Sequence, residues 1–307
     1  MNLDAIPDEY RGVIEDLEAA YWVPILHTPF EALGEIESAS AQDCPQLHQP
    51  FIAFVSNLRA AKDLLEFPYF LLLPFLPDVK ASAAKIKGAS DKLESELTEE
   101  EKIRMIDLVT VTMRATQGHL LDKRQHLQRL LHQAAILVWG ALETYSKQVF
   151  IATLNQRPSL YKAIARSPAL KERFSISNNK WGSYLESHDF DLNGKLGTII
   201  ATNQDFSSPQ LIKDLFPTMF VDVSQIGLSI DEDEQDILWR LGQRRHLIAH
   251  RCAIVDQDYL NKTHDDSQQL GQLLKLRGRD LGEAMSAAAR FAIMVYGNAR
   301  YSWDRQP

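Results

Sequence analysis

Between Leu130 and Tyr145 the chain reads LLHQAAILVWGALETY, a stretch that is apolar on nearly every face once wound at helical pitch. A helix of that kind cannot rest on a surface and must form the centre of a bundle or a subunit interface. Apolar spacing elsewhere is mostly of the three-and-four kind, and glycines and prolines fall between segments more often than inside them. The sequence therefore predicts an all-α protein: a helical bundle preceded by an N-terminal helical region, with room for a short β element late in the chain.

Local signals divide the chain further. Ile14, Leu17, Ala20 and Tyr21 form a first helical stripe after Pro7, and Phe51, Phe54, Val55, Leu58, Ala61 and Leu65 form a second. The run FPYFLLLPFL, Phe67 to Leu76, is too short to span a bilayer and carries Pro68 and Pro74, so it is assigned to packing between helices and taken to end that unit. Lys80 to Glu101 is small and charged, which suits a connector. Thr98 with Glu101 then offers a capping box, and Glu99 to Glu101 suit the positive end of a new helix. A boundary is placed there, giving an N-terminal helical region over 1–98 and a helical domain over 99–307, the latter opening with a long helix to about Leu154.

Pro158 to Phe220 alternates short helical pieces with turn chemistry at Ser177–Asn179, Asn193–Gly194 and Ser207–Pro209. Asp231–Glu234 starts a helix acid-first that finishes base-last, matching the macrodipole at both ends. Cys252–Asp256 has strand-like content, and Leu281 to Tyr296 predicts a closing helix with a small-residue surface of Ala284, Ala287, Ala288 and Ala292.

That base-last helix ends Gln243-Arg244-Arg245-His246-Leu247-Ile248-Ala249-His250-Arg251. Guanidinium groups bind phosphate oxygens in a planar two-pronged geometry and stay charged at any working pH, whereas imidazole exchanges a proton near neutrality. The segment is equipped to handle a phosphodiester. Arg245 and His250 lie roughly 140° apart on an ideal helix, so they are expected to flank a groove rather than stack on a stripe. One helix then makes an incomplete site, and two copies meeting across a two-fold axis would supply two cations and two proton carriers. Glu143 stands out within the central apolar helix. Either it lies on that helix's polar edge or it is buried and pairs with an arginine of the motif.

Charge and cysteine content bound the surroundings. With a net charge of −8, the chain is not built to coat nucleic acid nonspecifically, so any such role belongs to a local site. Its two cysteines, Cys44 and Cys252, have no metal-ligand or redox spacing, which points to a reducing compartment, the cytoplasm by default. No segment has the pattern of a secretory leader or a membrane span.

Arg245-His246-Leu247-Ile248-Ala249-His250, at the end of such a helix and preceded by a long apolar helix with Ala141-Leu142-Glu143, resembles the arginine, polar residue, three others, histidine motif of the HEPN superfamily. The resemblance covers roughly Gln125 to Arg300, and Ile254 to Leu260 also resembles some bacterial members. It implies a helical bundle that dimerises and, in catalytic members, cuts RNA without a metal ion or other cofactor to leave a 2′,3′-cyclic phosphate, often as a toxin or in defence against phage. Carried onto this chain, Arg245 and His250 take the catalytic positions and His246 the polar place that is frequently asparagine. Arg244, His246, Arg251 and Glu143 are the expected supporting residues. The implied partners are RNA, a second copy of the chain and an inhibitory or sensor protein. One HEPN branch carries a modified tyrosine two residues after the histidine; here that position is Cys252, which argues against that toxin pairing.

Other readings use the same residues. The basic cluster could be solvated helix-end charge, which would leave a noncatalytic module binding a nucleotide, RNA or a protein partner. His246 and His250 have the four-residue spacing of two zinc ligands, but Leu247 stands where a zinc protease carries glutamate and no third ligand has fixed spacing. Asp189 to Gly194 copies half a calcium loop, yet its twelfth position is Ile200, so a side-chain-stabilised turn is expected. The tryptophans Trp22, Trp139, Trp181, Trp239 and Trp303 are scattered and read as core or interface residues.

Overall fold

A computed structural model describes residues 32–38, 44–72, 99–175, 181–202, 204–221 and 231–304, with side chains described at all of these except 66–72, 99–125 and 127. The expected stripe at Ile14 to Tyr21 and the connector over 80–98 lie outside the described residues. The protein is all-α, with the helical-bundle architecture its patterning requires. In chain order the helices are α1 (Pro45–Leu72), α2 (Glu99–Gln156), α3 (Tyr161–Arg166), α4 (Pro168–Lys171), α5 (Trp181–Ser187), α6 (Leu196–Ala201), α7 (Pro209–Met219), α8 (Glu232–His250), α9 (Gln257–Thr263) and α10 (Gly278–Asp304). Among the described residues, no helix is long and apolar enough to cross a membrane.

The apolar stretch of α2 is the axis of the bundle. Leu131, Ala134, Ala135, Val138, Trp139, Leu142 and Tyr145 are all buried; α1, α8 and α10 pack against this helix, and α6 packs on its later turns at Ile151 and Asn155. Tyr145 shows how three helices share one core. Its ring lies 5.1 Å from that of Phe54 and 6.1 Å from that of Phe51 on α1, while its hydroxyl donates to the Ala292 carbonyl of α10 at 2.9 Å. That donation satisfies a hydroxyl that burial would otherwise penalise. Burial also drives the Tyr145 phenol well above its ordinary value. The small residues Ala284, Ala287, Ala288 and Ala292 allow α10 to approach closely, and all are buried. Thus α1, drawn from the N-terminal region, contributes to the same core as the helices of the C-terminal part.

Cap chemistry sets several boundaries. Ser208 accepts from the Leu211 amide with Pro209 in the first turn of α7, and Asp231 accepts from the Glu234 amide at the start of α8. The calcium-like segment is a turn in which Asp191 accepts the Asn193 amide at 2.9 Å, with Gly194 at φ +63°. α1 runs through Pro68 to Leu72, into the run expected to end that unit, and the rest of that run lies outside the described residues. An interior proline removes one hydrogen bond but need not end a helix.

After α8 the strand-like segment reduces to an isolated antiparallel bridge between Ile254 and Leu273. Cys252 and Ala253 adopt left-handed backbone, φ 53° and 60°, which reverses the chain; the Ala253 amide returns to the Leu247 carbonyl. The returning segment is clasped from α2. Gln128 exchanges two hydrogen bonds of 2.9 Å with the Leu276 backbone, and buried His132 contacts the Leu274 carbonyl through Nε2 at 2.9 Å.

Candidate active site

The site begins with how α8 is seated. A Cβ placed on Gly242 would lie 2.3 Å from Cγ of Pro209 and 2.9 Å from Cη2 of Trp139, so only glycine lets α8 approach α2 and the start of α7 this closely. Leu238, Leu241 and Leu247 are buried along the same helix, and Arg290 of α10 pairs with Glu234 near its start. This docking leaves the last turn exposed at His246, Ala249 and His250.

Within that turn Nη1 of Arg245 lies 3.4 Å from Nε2 of His250. The ideal-helix angle placed these residues on either side of a groove; the structure brings their side chains together, because an extended arginine reaches around the last turn. Guanidinium can only donate, so Nε2 is the acceptor in this contact. The His246 and His250 rings lie 4.9 Å apart between centroids. Among the described residues, the nitrogens of His246 have no hydrogen-bond or ionic partner.

Glu143 faces this group from α2. Its Oε2 is 3.9 Å from Nη2 of Arg245, and the two side chains are 31% and 26% exposed, so it lies at the margin of the core and also pairs with the motif. At that separation the contact is Coulombic rather than a hydrogen bond. Burial pushes the Glu143 carboxyl above its ordinary value, and the charge of Asp205 adds to this; Arg245 and Lys147 oppose it. Burial wins because, among the described residues, no donor closes on the carboxylate.

Asp205 is the residue that sequence reasoning missed. It sits in the loop before α7, where its side chain accepts the Ser207 amide at 2.8 Å and its carbonyl accepts from Arg173 at 2.9 Å. Phe206, fully buried against Phe150 and Phe174 with ring separations of 5.4 and 6.4 Å, pins the loop. The hydrogen bonds from Ser207 lower the Asp205 carboxyl below its ordinary value; burial opposes them, and Arg173 and Arg245 lower it further. An aspartate three residues before the capping serine of a helix signals an Asx turn in sequence, but not that the turn faces an arginine on a distant helix.

Arg244 and Arg251 have different surroundings. Arg244 is largely buried, 3.5 Å from Asp265 and 3.8 Å from Asp280. Burial works against its charge, and Tyr259 with Asp280 and Asp265 more than offsets that, holding it above its ordinary value. The structure therefore does not present Arg244 to a ligand: it braces α8 to α9 and to the loop that precedes α10. Arg251 is 63% exposed, 3.6 Å from Asp256, at the mouth of the motif turn. Among the described residues no group of three or more His, Cys, Asp or Glu is placed to hold a metal ion.

The family model RiboL-PSP-HEPN matches residues 104–276, more than half of the chain. The chain belongs to the HEPN superfamily. The matched span contains Glu143, Asp205 and the whole Arg245 to His250 motif, and it leaves α1 and α10 outside although both share the HEPN core. No curated protein and no solved structure matches the chain.

Proposed function

We propose that this HEPN protein is a metal-independent endoribonuclease in which His250 and Arg245 act on one phosphodiester. The observation that carries this reading is the 3.4 Å contact between Nη1 of Arg245 and Nε2 of His250 on an exposed helix end of a HEPN chain. His250 can serve as general base for the ribose 2′-hydroxyl once a bound phosphate draws the Arg245 guanidinium off Nε2, and the same guanidinium then neutralises charge growing on the phosphoryl oxygens. Arg251 supplies an exposed cation for the neighbouring strand. A homodimer that brings two such helix ends together would enlarge the cationic surface, which a chain of net charge −8 must concentrate locally.

Such an activity threatens its own cell, which favours a cytoplasmic toxin or antiviral defence role with an inhibitory or sensor protein as partner. One observation favours the alternative of a noncatalytic RNA-, nucleotide- or protein-binding module: Glu143 and Asp205 already offset the charge of Arg245 in the free chain. The deciding experiment is incubation of the purified protein with single-stranded RNA in excess EDTA. Cleavage that is lost in Arg245→Ala and His250→Ala, with unfolding transitions unchanged, supports the ribonuclease. Retention of RNA without cleavage supports the binding module.

A further inference from the structure

The last turn of α8, which carries His250, ends in a conformation its own residues do not favour. Beyond Arg251 the chain reverses through Cys252 and Ala253, both in the left-handed region at φ 53° and 60°. Helices commonly end on one such residue, and glycine usually takes the place because a side chain strains it. Here two consecutive residues adopt it and neither is glycine. Strained backbone of this kind persists only where its surroundings hold it.

The hold comes from α2. Nε2 of His132 lies 2.9 Å from the Leu274 carbonyl, which can only accept, so His132 donates. The Leu274 amide donates to the Ala253 carbonyl at 2.7 Å, and the Ala253 amide donates to the Leu247 carbonyl at 3.0 Å, the same oxygen that accepts the Arg251 amide. One turn back on α2, Gln128 both donates to and accepts from the Leu276 backbone at 2.9 Å. Gln128, His132, Leu274 and Leu276 are all buried, so these bonds form away from water. A continuous series of hydrogen bonds thus runs from α2 to a carbonyl of the motif itself. The same helix carries Glu143, which faces Arg245 at 3.9 Å. α2 therefore both ties down the end of the motif turn and faces its arginine.

We propose that Gln128 and His132 are positioning residues of the candidate site: through the segment from Leu274 to Leu276 they hold the left-handed reversal at Cys252 and Ala253, and so fix where the last turn of α8 carries His250. The kinetic consequence rests on the ribonuclease reading; the structural one does not.

The test compares wild-type protein, Gln128→Met, Cys252→Gly, their combination, and Tyr145→Phe, a control that loses a different buried hydrogen bond of α2. Each is assayed for cleavage of single-stranded RNA in EDTA, under conditions where urea unfolding shows it fully folded, and for amide hydrogen exchange at Ala253 and Leu274. Gln128→Met is expected to lower kcat about 10-fold with KM within about twofold, and to speed exchange at both amides. Tyr145→Phe should leave kcat within about twofold of wild type. Cys252 is exposed, so glycine there relieves the left-handed backbone without opening the core. Alone it should leave kcat within about twofold, and added to Gln128→Met it should recover about fivefold, a rescue that a general loss of packing would not show. His132→Phe provides the same comparison if Gln128→Met does not fold. Wild-type kcat in Gln128→Met, an equal loss in Tyr145→Phe, or a loss that Cys252→Gly does not recover overturns the assignment while leaving the ribonuclease standing. A wild-type chain that does not cleave RNA overturns the ribonuclease, and exchange at Ala253 and Leu274 then decides whether the clasp holds the turn.

Discussion

Substitution of Gly242 by alanine tests whether the motif helix is seated as described. The added Cβ would stand 2.3 Å from Cγ and 3.0 Å from Cβ of Pro209, and 2.9 Å from Cη2 of Trp139, against an ordinary contact of about 3.5–4.0 Å. Neither neighbour can swing aside: one is a closed ring in the first turn of α7, the other a buried indole. Relief must come from moving α8 itself, so the cost belongs at the upper end of overpacking, about 3 kcal/mol. Alanine regains roughly 1 kcal/mol of helix propensity, leaving a net loss of about 2 kcal/mol. The assay is equilibrium urea unfolding at fixed pH, read as a lowered midpoint with unchanged slope. Adding Pro209→Ala removes the closest atoms, and the double variant should recover about 1 kcal/mol relative to additivity. A Gly242→Ala protein as stable as wild type, or more stable, would refute the close approach and the placement of Arg245 one turn further along.

The remaining predictions concern the arginines and a buried histidine. Arg244→Ala should cost about 3 kcal/mol, because it takes the cation from the largely buried Asp265 and leaves it only the hydrogen bonds from Tyr259 and Ser267, whereas Arg251→Ala should change stability by no more than about 0.5 kcal/mol; paired urea titrations check both. Burial lowers His132 from 6.5, and the contact with the Leu274 carbonyl opposes this. The unfolded chain therefore binds more protons below pH 6.5, so this contribution to stability is complete above that value and is lost as pH falls through the folded-state value. Stability should decline as pH falls below about 6.5, and His132→Gln should flatten that decline; an identical slope in the variant would contradict the argument.

What could be read from the sequence was local chemistry. The caps at Ser208 and Asp231 and the all-round apolarity of Leu130 to Tyr145 act within a few residues, and each leaves a mark in the order of amino acids. Arg244 and Arg245 illustrate what does not. They are neighbours of one type, about 100° apart on a helix, and only the fold decides that one is buried against Asp265 and Asp280 while the other meets His250 and Glu143. The ideal-helix angle between Arg245 and His250 misled because it measures Cα positions, not the reach of a guanidinium. Asp205 was illegible because its distance from the motif closes only when the loop pinned by Phe206 packs beside α2. Glu143 was visible as an anomaly, and the structure places it at the margin of the core, 3.9 Å from Arg245 rather than in a buried pair.

The most direct test of the central claim is the chemistry of the RNA ends. A single-stranded oligonucleotide is digested in EDTA, alongside a copy in which the nucleotide on the 5′ side of the scissile bond is 2′-deoxy. Attack by the 2′-oxygen, with His250 as its base, predicts 2′,3′-cyclic phosphate and 5′-hydroxyl products from the first and no cut at that bond in the second. Cleavage of the deoxy-substituted bond, or products bearing 5′-phosphates, would contradict the account.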